Sequence, residues 1–324
     1  SDRVNTVSEG YAREISGGKT ESFVTLDGTR RRFKCSGGLD GVWVKYRVSP
    51  IGIRNGIDDS YDPARIGDGE DWQFVDEDWK SNYAPAGGQT IAGWAYGIGD
   101  PHLQRKKHDL KCYLQERCNR ALKTRLEVSA EIPVIAVRSR LTEQKGFDLI
   151  IEGLKRWSHG WPVQFVIVAW GEKRYATPLK KLAAAHPKWI AFSDSWQAAP
   201  EPLHYAGADM LLMPSLFEPC GLPHMMALRY GTIPIVRQTG GLADVVQDFD
   251  PSSKTGNGFV FKAPDSEEML HAAGRALETY HQRPDRWQEL LATAMKAKDR
   301  LGHDFTWTTA ANRYLAELYE VVDQ

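Results

Sequence analysis

The 324 residues of the chain correspond to about two domains at ~150 residues each. A hydrophobic content of 42% and a charged content of 26% indicate a globular protein with a sizeable core. The net charge of −1 excludes an electrostatic footprint for nucleic acid or an anionic membrane, and no apolar run approaches the ~20 residues that span a bilayer.

The first sixty residues predict a short strand, a helix and a hairpin. The strand precedes Ser8, which is a suitable N-cap for a helix that begins near Glu9. Residues 17–36 are polar and contain a hairpin pattern whose turn is Asp27-Gly28. This piece is interpreted as an insertion.

Residues 64–100 are rich in Asp, Gly, Trp and Tyr and have no regular period, which predicts a long loop. Residues 101–124 have the spacing of an amphipathic helix. The β-branched run Ile132–Val137 then predicts a buried strand.

Two cations follow that strand. Arg140 and Lys145 bracket a loop before a helix with an apolar face. Cations at the carboxyl end of a strand are placed to neutralise a diphosphate. The alternative is that both are solvated surface charges.

The stretch 211–246 contains the densest set of signals. An apolar run ends at Pro214, and Glu218 follows between an aromatic ring and a proline. A helix is predicted from about Leu222 to Tyr230, because Gly231 just past it is a good helix stop. A short buried strand over 232–236 and the turn Thr239-Gly240-Gly241-Leu242 complete the stretch.

This alternation of strands and helices predicts a doubly wound, Rossmann-like α/β sheet, in which ligands bind outside the carboxyl ends of the strands. Glu218 and the glycine turn would share that edge. A glycine turn at a helix N-terminus offers free N–H groups to a phosphate. A phosphorylated or nucleotide-linked substrate is therefore indicated. Alternatively, Glu218 is a simple helix N-terminal charge and the glycines are ordinary turns.

The remaining elements fit the same plan. Strands are predicted at 163–169 and 190–192, residues 255–261 predict a glycine turn that leads into a strand, and a short helix at 201–208 carries Tyr205. Residues 266–301 predict two helices broken near Pro284, and a final amphipathic helix follows residue 307. The cysteines have no zinc-type spacing, so we expect free thiols and no metal site: they are Cys35, Cys112, Cys118 and Cys220.

Several long motifs resemble those of bacterial glycogen synthases and plant starch synthases. They are P-S-x-F-E-P-C-G-L with T-G-G-L, S-R-L-T-x-Q-K-G-x-D-L, N-G-I-D at 55–58, and T-V-S-x-x-Y-A-R-E-I near the start. The resemblance implies a retaining glucosyltransferase of the GT-B type, with two Rossmann-like domains facing each other. The chain would be the C-terminal half with a remnant of the N-terminal domain. Most of the first domain, including the family's Lys-x-Gly-Gly-Leu loop, has no counterpart.

The resemblance also implies roles for the site residues. Arg140 and Lys145 would hold the donor phosphates, and Glu218 would hold the glucose hydroxyls and support positive charge at the anomeric carbon. Tyr205 would either stack on the nucleotide base or pack its helix. No metal and no cofactor are implied. The other implied donor-binding residues are Ser215, Cys220, Gly221, Leu222, Thr239, Gly240 and Gly241.

This chain departs from the family where Pro223 and His224 replace a common Thr-Gln pair. Because Pro223 has no hydroxyl or N–H, any donor contact made by that pair has to be replaced. The aromatic residues of the 64–100 loop either contact glucan or pack locally: they are Trp72, Trp79, Tyr83, Trp94 and Tyr96.

The prediction is therefore an α-1,4-glucan synthase that transfers glucose from ADP-glucose or UDP-glucose to a glycogen or starch acceptor. It would be cytoplasmic, or plastidial in a plant or alga, and its oligomeric state is open. The alternatives are a non-catalytic nucleotide-sugar or glucan-binding fragment, and a related retaining transferase with a small acceptor. The predicted divisions are the N-terminal remnant 1–60, the loop and linker helix 61–130, the donor domain 131–303 and the crossing helix 304–324.

Overall fold

The computed structural model describes residues 4–66, 94–157, 160–195 and 201–319. Strands β1 to β10 are Asn5–Thr6, Thr20–Val24, Arg30–Lys34, Ile51–Gly52, Val134–Leu141, Gln164–Gly171, Ile190–Ser193, Met210–Met213, Ile233–Arg237 and Phe259–Phe261. Helices α1 to α11 are Glu9–Ser16, Asp40–Tyr46, Leu103–Leu122, Phe147–Lys155, Lys173–Ala185, Glu201–Gly207, Leu222–Arg229, Gly240–Val245, Ser266–Gln282, Pro284–Met295 and Trp307–Tyr314. A π-helical turn, Leu315–Tyr319, extends α11, and short 3₁₀ turns occupy Pro63–Arg65 and Glu143–Lys145.

Six parallel strands form the main sheet, in the order β10-β9-β8-β5-β6-β7. The chain winds outward from β5 through β6 to β7, then returns and winds the other way from β8 through β9 to β10. This is the doubly wound arrangement, and its direction reverses between β5 and β8. The predicted Rossmann-like fold class is confirmed.

The strands of this sheet are apolar because helices cover both faces. In β5 the run from Val134 to Val137 is almost fully buried, and β8 and β9 are buried along their whole length. Parallel sheets covered on both faces show such continuous apolar runs, since neither face meets water. The sheet therefore supplies the core and a rigid base for the loops at its carboxyl edge.

The N-terminal segment forms smaller elements beside the main sheet. Strands β1 and β4 pair in parallel, and α1 begins at Ser8, whose hydroxyl accepts a hydrogen bond from the Tyr11 N–H at 3.1 Å. The predicted hairpin is confirmed as the antiparallel pair β2–β3. Its turn contains Gly28 at φ +81°, a left-handed conformation that suits glycine.

Two helices were not predicted from the sequence. Helix α5 contains Pro178, which usually marks a break because proline lacks an N–H. Helix α2 contains no buried residue, so it has no apolar stripe to reveal it.

Part of the aromatic loop has a definite packing role. Tyr96 is buried and donates a hydrogen bond from its hydroxyl to the Tyr230 carbonyl at 2.8 Å, and Trp94 packs edge-on against Tyr113 at 5.5 Å. These contacts favour local packing for both residues. Trp72, Trp79 and Tyr83 lie outside the described residues.

Over the described part of the chain, no helix combines the length and the apolar character that a membrane crossing requires.

Candidate active site

The candidate site lies at the carboxyl edge of the sheet, where the strand order reverses. Strands β5 and β8 are neighbours, with Ile135 opposite Met210. The loop after β5 carries Lys145, and the loop after β8 carries Glu218. The connections leaving these two strands run in opposite directions, so a crevice opens between them. The predicted residues are therefore on neighbouring loops.

A glycine brings the first loop close to the second. Gly146 follows Lys145 at φ +72°, and a Cβ at this position would collide with the Pro214 carbonyl oxygen at the end of β8. Glycine has no Cβ and adopts positive φ without strain. Lys145 is thereby held against the loop that carries Glu218.

Glu218 is the centre of a buried polar cluster. Its Oε2 atom lies 2.5 Å from the Lys145 Nζ and accepts a hydrogen bond from the Ser215 hydroxyl at 2.9 Å. The Glu218 side chain is 5% exposed and that of Lys145 is 14% exposed, so solvent screens this pair poorly. The motif residues Lys145, Ser215 and Glu218 thus meet directly.

Arg140 lies apart from this cluster, at the end of β5 opposite Trp170 in β6. It is exposed, and its side chain makes no ion pair within the described ranges. An uncompensated guanidinium on the rim remains available to an anion, because its planar fork of donors matches phosphate oxygens.

The glycine turn differs from the expectation. Glu14 of α1 accepts hydrogen bonds from the Thr239 hydroxyl at 2.9 Å and the Gly240 N–H at 3.0 Å. The Gly241 N–H donates to the Glu218 carbonyl at 2.9 Å. The prediction that this turn offers free N–H groups is wrong for these two glycines. A carboxylate already occupies the positive end of the helix.

The two glycines are also required by packing. A Cβ on Gly240 would collide with the Glu218 carbonyl oxygen, and one on Gly241 would collide with that of Cys220. On its other side the turn meets α1, where a Cβ on Gly10 would collide with the Gly240 carbonyl oxygen. The turn is therefore closely packed between α1 and the Glu218 loop.

Tyr205 does not present a stacking face. Its side chain is fully buried, with its ring 6.4 Å from Tyr230 and 6.3 Å from Tyr61. Its hydroxyl donates to Glu201 at 3.1 Å. A base cannot stack on a fully buried ring, so the expected base-stacking role is replaced by the helix-packing alternative.

The remaining motif residues shape the start of α7. Cys220 is buried, and desolvation raises the pKa of its thiol to about 11, so the thiol stays protonated. Gly221 precedes the helix at φ +80°, and Leu222 is the first helical residue. These residues contribute backbone geometry rather than a reactive side chain.

Sequence reasoning missed several polar residues that pack around the site. Ser8 donates a hydrogen bond to the Pro219 carbonyl at 2.5 Å, and Glu14 caps the glycine turn. Arg237, fully buried at the end of β9, donates to the Ser215 carbonyl at 2.8 Å. A charged residue closing a buried strand is the signal that marks Arg237, since a charge is buried only with a partner.

His224 lies behind the Glu218 loop. Its Nδ1 lies 3.1 Å from the position of a Cβ on Gly221, and the Glu218 Cγ lies 2.9 Å from that position. Burial, together with the charge of Arg54, lowers the pKa of His224 to about 3. The imidazole is therefore neutral at physiological pH.

The fold and the polar cluster define a class of protein: a Rossmann-like α/β domain with a buried cation–carboxylate pair at its switch point. The family described as Glycosyl transferases group 1 matches residues 120–290, and the chain belongs to that family.

The similarity extends to particular relatives. The chain is 35% identical to a glycogen synthase of Pseudothermotoga lettingae and 36% identical to one of Thermosipho africanus, each over 97% of its length. It covers 54% of each relative, so it spans about half the length of these proteins. The resemblance to glycogen and starch synthases is confirmed.

A solved structure gives the same result. The catalytic domain of starch synthase IV from Arabidopsis thaliana, bound to ADP and acarbose, superposes with a TM-score of 0.70 at 27% identity. The match covers 98% of this chain and 55% of the plant protein.

Proposed function

We propose that this chain is the donor-binding half of a glycogen or starch synthase-type glucosyltransferase. It would transfer glucose from a nucleotide sugar to the non-reducing end of an α-1,4-glucan with retention. The observation that carries the proposal is the Lys145–Glu218 pair, 2.5 Å apart at the switch point of the sheet. The relatives named glycogen synthase support the reaction class.

The chemistry follows from the placement of charge. Departure of the nucleotide develops negative charge on the diphosphate, and Arg140 and Lys145 would stabilise it. Glu218 would bind the glucose hydroxyls and stabilise positive charge at the anomeric carbon. Since Lys145 already contacts Glu218, one ammonium group would link the carboxylate to the phosphate as charge separates.

ADP-glucose is the first donor to test, since the plant neighbour was solved with ADP, and UDP-glucose is the second. The donor domain would be residues 131–303, with the remnant 1–60, the segment 61–130 and the crossing helix 304–324 around it. The diphosphate would reach Gly240 only if Glu14 moved away. Such an enzyme would act in the cytoplasm, or in the plastid of a plant or alga.

A second candidate function is nucleotide-sugar or glucan binding without transfer. The chain spans 54% of its glycogen synthase relatives, and half of a cleft can bind a donor without positioning an acceptor.

The test measures glucose transfer onto glycogen from ADP-glucose and from UDP-glucose, with nucleotide binding measured by calorimetry. The parent chain is compared with Glu218→Gln, which keeps the shape and removes the charge. Glu143→Gln is the matched control, because Glu143 lies on the same loop as Lys145 but pairs with Arg31 and Arg174.

We expect Glu218→Gln to lower transfer by about 10²-fold or more, as for the loss of one electrostatic stabiliser, while Glu143→Gln stays near the parent. Binding without transfer in the parent would select the second function. Loss of both binding and transfer would exclude this crevice as the donor site of the chain.

A further inference from the structure

The hairpin β2–β3, interpreted from sequence as an insertion, contacts both loops of the candidate site. The Leu26 N–H donates to the Asp148 carboxylate at 2.9 Å, and Arg31 pairs with Glu143 at 3.0 Å. Asp148 and Glu143 flank Lys145 in sequence. The ring of Phe33 lies 6.4 Å from that of Phe217, which precedes Glu218.

Behind the second loop, Arg237 holds backbone carbonyls of the Glu218 loop. Its Nε donates to the Ser215 carbonyl at 2.8 Å, and its Nη2 donates to the Leu216 carbonyl. Its Nη1 donates to the carbonyl of Lys262, just after β10, at 3.2 Å. The buried guanidinium thus holds the backbone of the turn that positions Glu218.

A fully buried guanidinium needs a carboxylate, because it does not lose its proton and carbonyl dipoles alone compensate a full charge poorly. Glu21 of the hairpin provides that carboxylate. Its Oε2 lies 2.7 Å from the Arg237 Nη1, and its Oε1 lies 2.7 Å from the Lys19 Nζ. The carboxylate that stabilises the Arg237 guanidinium therefore belongs to the hairpin β2–β3.

We propose that Glu21 is a positioning residue for glucosyl transfer. It holds Arg237, which fixes the Ser215 and Leu216 carbonyls and so keeps Glu218 against Lys145. The inference rests on the proposed function and extends the site to the hairpin, whose Glu21 contacts neither Glu218 nor Lys145 directly.

The first test needs no activity. Hydrogen exchange is followed by mass spectrometry in a peptide covering residues 211–222, in the parent, Glu21→Gln and Asp40→Asn. The control variant Asp40→Asn removes a more exposed ion pair, which Asp40 makes with Lys34 of the same hairpin at 2.5 Å. We expect faster exchange in this peptide for Glu21→Gln, because the Leu216 N–H bond to the Gln144 carbonyl loosens with the loop. Equal exchange in both variants would overturn the proposal.

The second test measures transfer. Glu21→Gln should lower kcat on the order of 10- to 100-fold, as expected when a reacting group is misplaced by about an ångström, and leave ADP affinity within about twofold. Glu21→Asp, which keeps the charge on a shorter arm, should recover part of the lost rate and also serves if Glu21→Gln does not fold. A lower melting temperature with unchanged kcat would show a purely structural role and overturn the proposal.

The two tests separate failure of the inference from failure of the proposed function. A parent chain without transfer activity contradicts the proposed function, while the exchange measurement still decides whether Glu21 holds the Glu218 loop.

Discussion

Buried cations lie at both edges of the main sheet, and they are used differently. At the amino edge, Lys107 of α3 donates to the Ala206 and Tyr230 carbonyls at 3.2 and 3.0 Å, and Lys111 pairs with Asp209 at 3.1 Å. The Lys107 amino group satisfies carbonyls at the ends of helices, where the last C=O groups lack intrahelical partners. Both lysine side chains are nearly fully buried.

At the carboxyl edge, the cations hold a loop rather than helix ends. Arg237 braces the carbonyls of the Glu218 loop, Lys145 meets the carboxylate, and Arg140 stands exposed on the rim. These three cations range from the fully buried Arg237 to the exposed Arg140. We expect the cations at the carboxyl edge to act on a ligand and those at the amino edge to stabilise the fold, and the following measurements test that distinction.

The largest expected effect is on catalysis. Lys145→Met should lower glucose transfer by about 10²- to 10³-fold, because a donor aimed at developing charge is lost. Its melting temperature should also fall, because the buried Glu218 carboxylate keeps the Ser215 hydroxyl but loses its charged partner. Steady-state kinetics and thermal unfolding of the same preparation provide both values. A variant that loses stability but keeps its rate would contradict the assignment.

The amino edge should respond differently. Lys107→Met removes the Lys107 donor from the buried Ala206 carbonyl and one of two donors from the Tyr230 carbonyl, so the free energy of unfolding should fall by about 1–3 kcal/mol while kcat is retained. Denaturant unfolding measures the difference. Lys180→Met is the control, because Lys180 pairs with Asp194 on the surface and its loss should change stability by less than about 1 kcal/mol.

Acidification should weaken the fold through buried histidines. Burial lowers the pKa of both His204 and His224 to about 3 in the folded chain, against about 6.5 when unfolded. Below pH ~6.5 the unfolded chain binds protons that the folded chain does not, so stability falls as the pH falls.

Each histidine should contribute about 1.4 kcal/mol per pH unit between its two pKa values. Denaturant unfolding at several pH values between about 7 and 5 measures the slope. His224→Gln should reduce this slope by the contribution of one histidine, about 1.4 kcal/mol per pH unit. A variant with the slope of the parent would show that His224 titrates alike in both states.

The smallest expected effect concerns the glycine turn. Glu14→Ala removes a carboxylate from the N–H of Gly240, where a diphosphate oxygen would lie. A charge at a helix end is worth about 0.3–1 kcal/mol, so ADP should bind a few-fold more tightly. Calorimetry measures the affinity. Weaker binding would place the diphosphate elsewhere, nearer Arg140 and Lys145.

Much of the main sheet was predictable from the sequence. Continuous apolar runs of the length of β5 and β8 are specific for buried parallel strands, and the doubly wound plan then places Lys145 and Glu218 at one edge. The motif residues Lys145, Ser215 and Glu218 do meet there.

Contacts between segments that are far apart in the sequence were harder to predict. Glu14 lies 226 positions before the Gly240 N–H that it caps, and no local pattern connects the two. For Tyr205, aromatic spacing alone cannot distinguish a ring that faces a ligand from one covered by Tyr61 and Tyr230. Helix α5 was missed because proline is a strong local signal that tertiary packing overrides.

The hairpin has one further property. Thr20 pairs with Lys34, and the Cys35 N–H donates to the Lys19 carbonyl at 3.0 Å, so the hairpin enters and leaves the fold at a single point. Because its two ends are adjacent, the hairpin can be added or removed without changing the path of the remaining chain. An evolving lineage or a protein engineer can therefore exchange it as a module, provided that the new segment still supplies a carboxylate to Arg237.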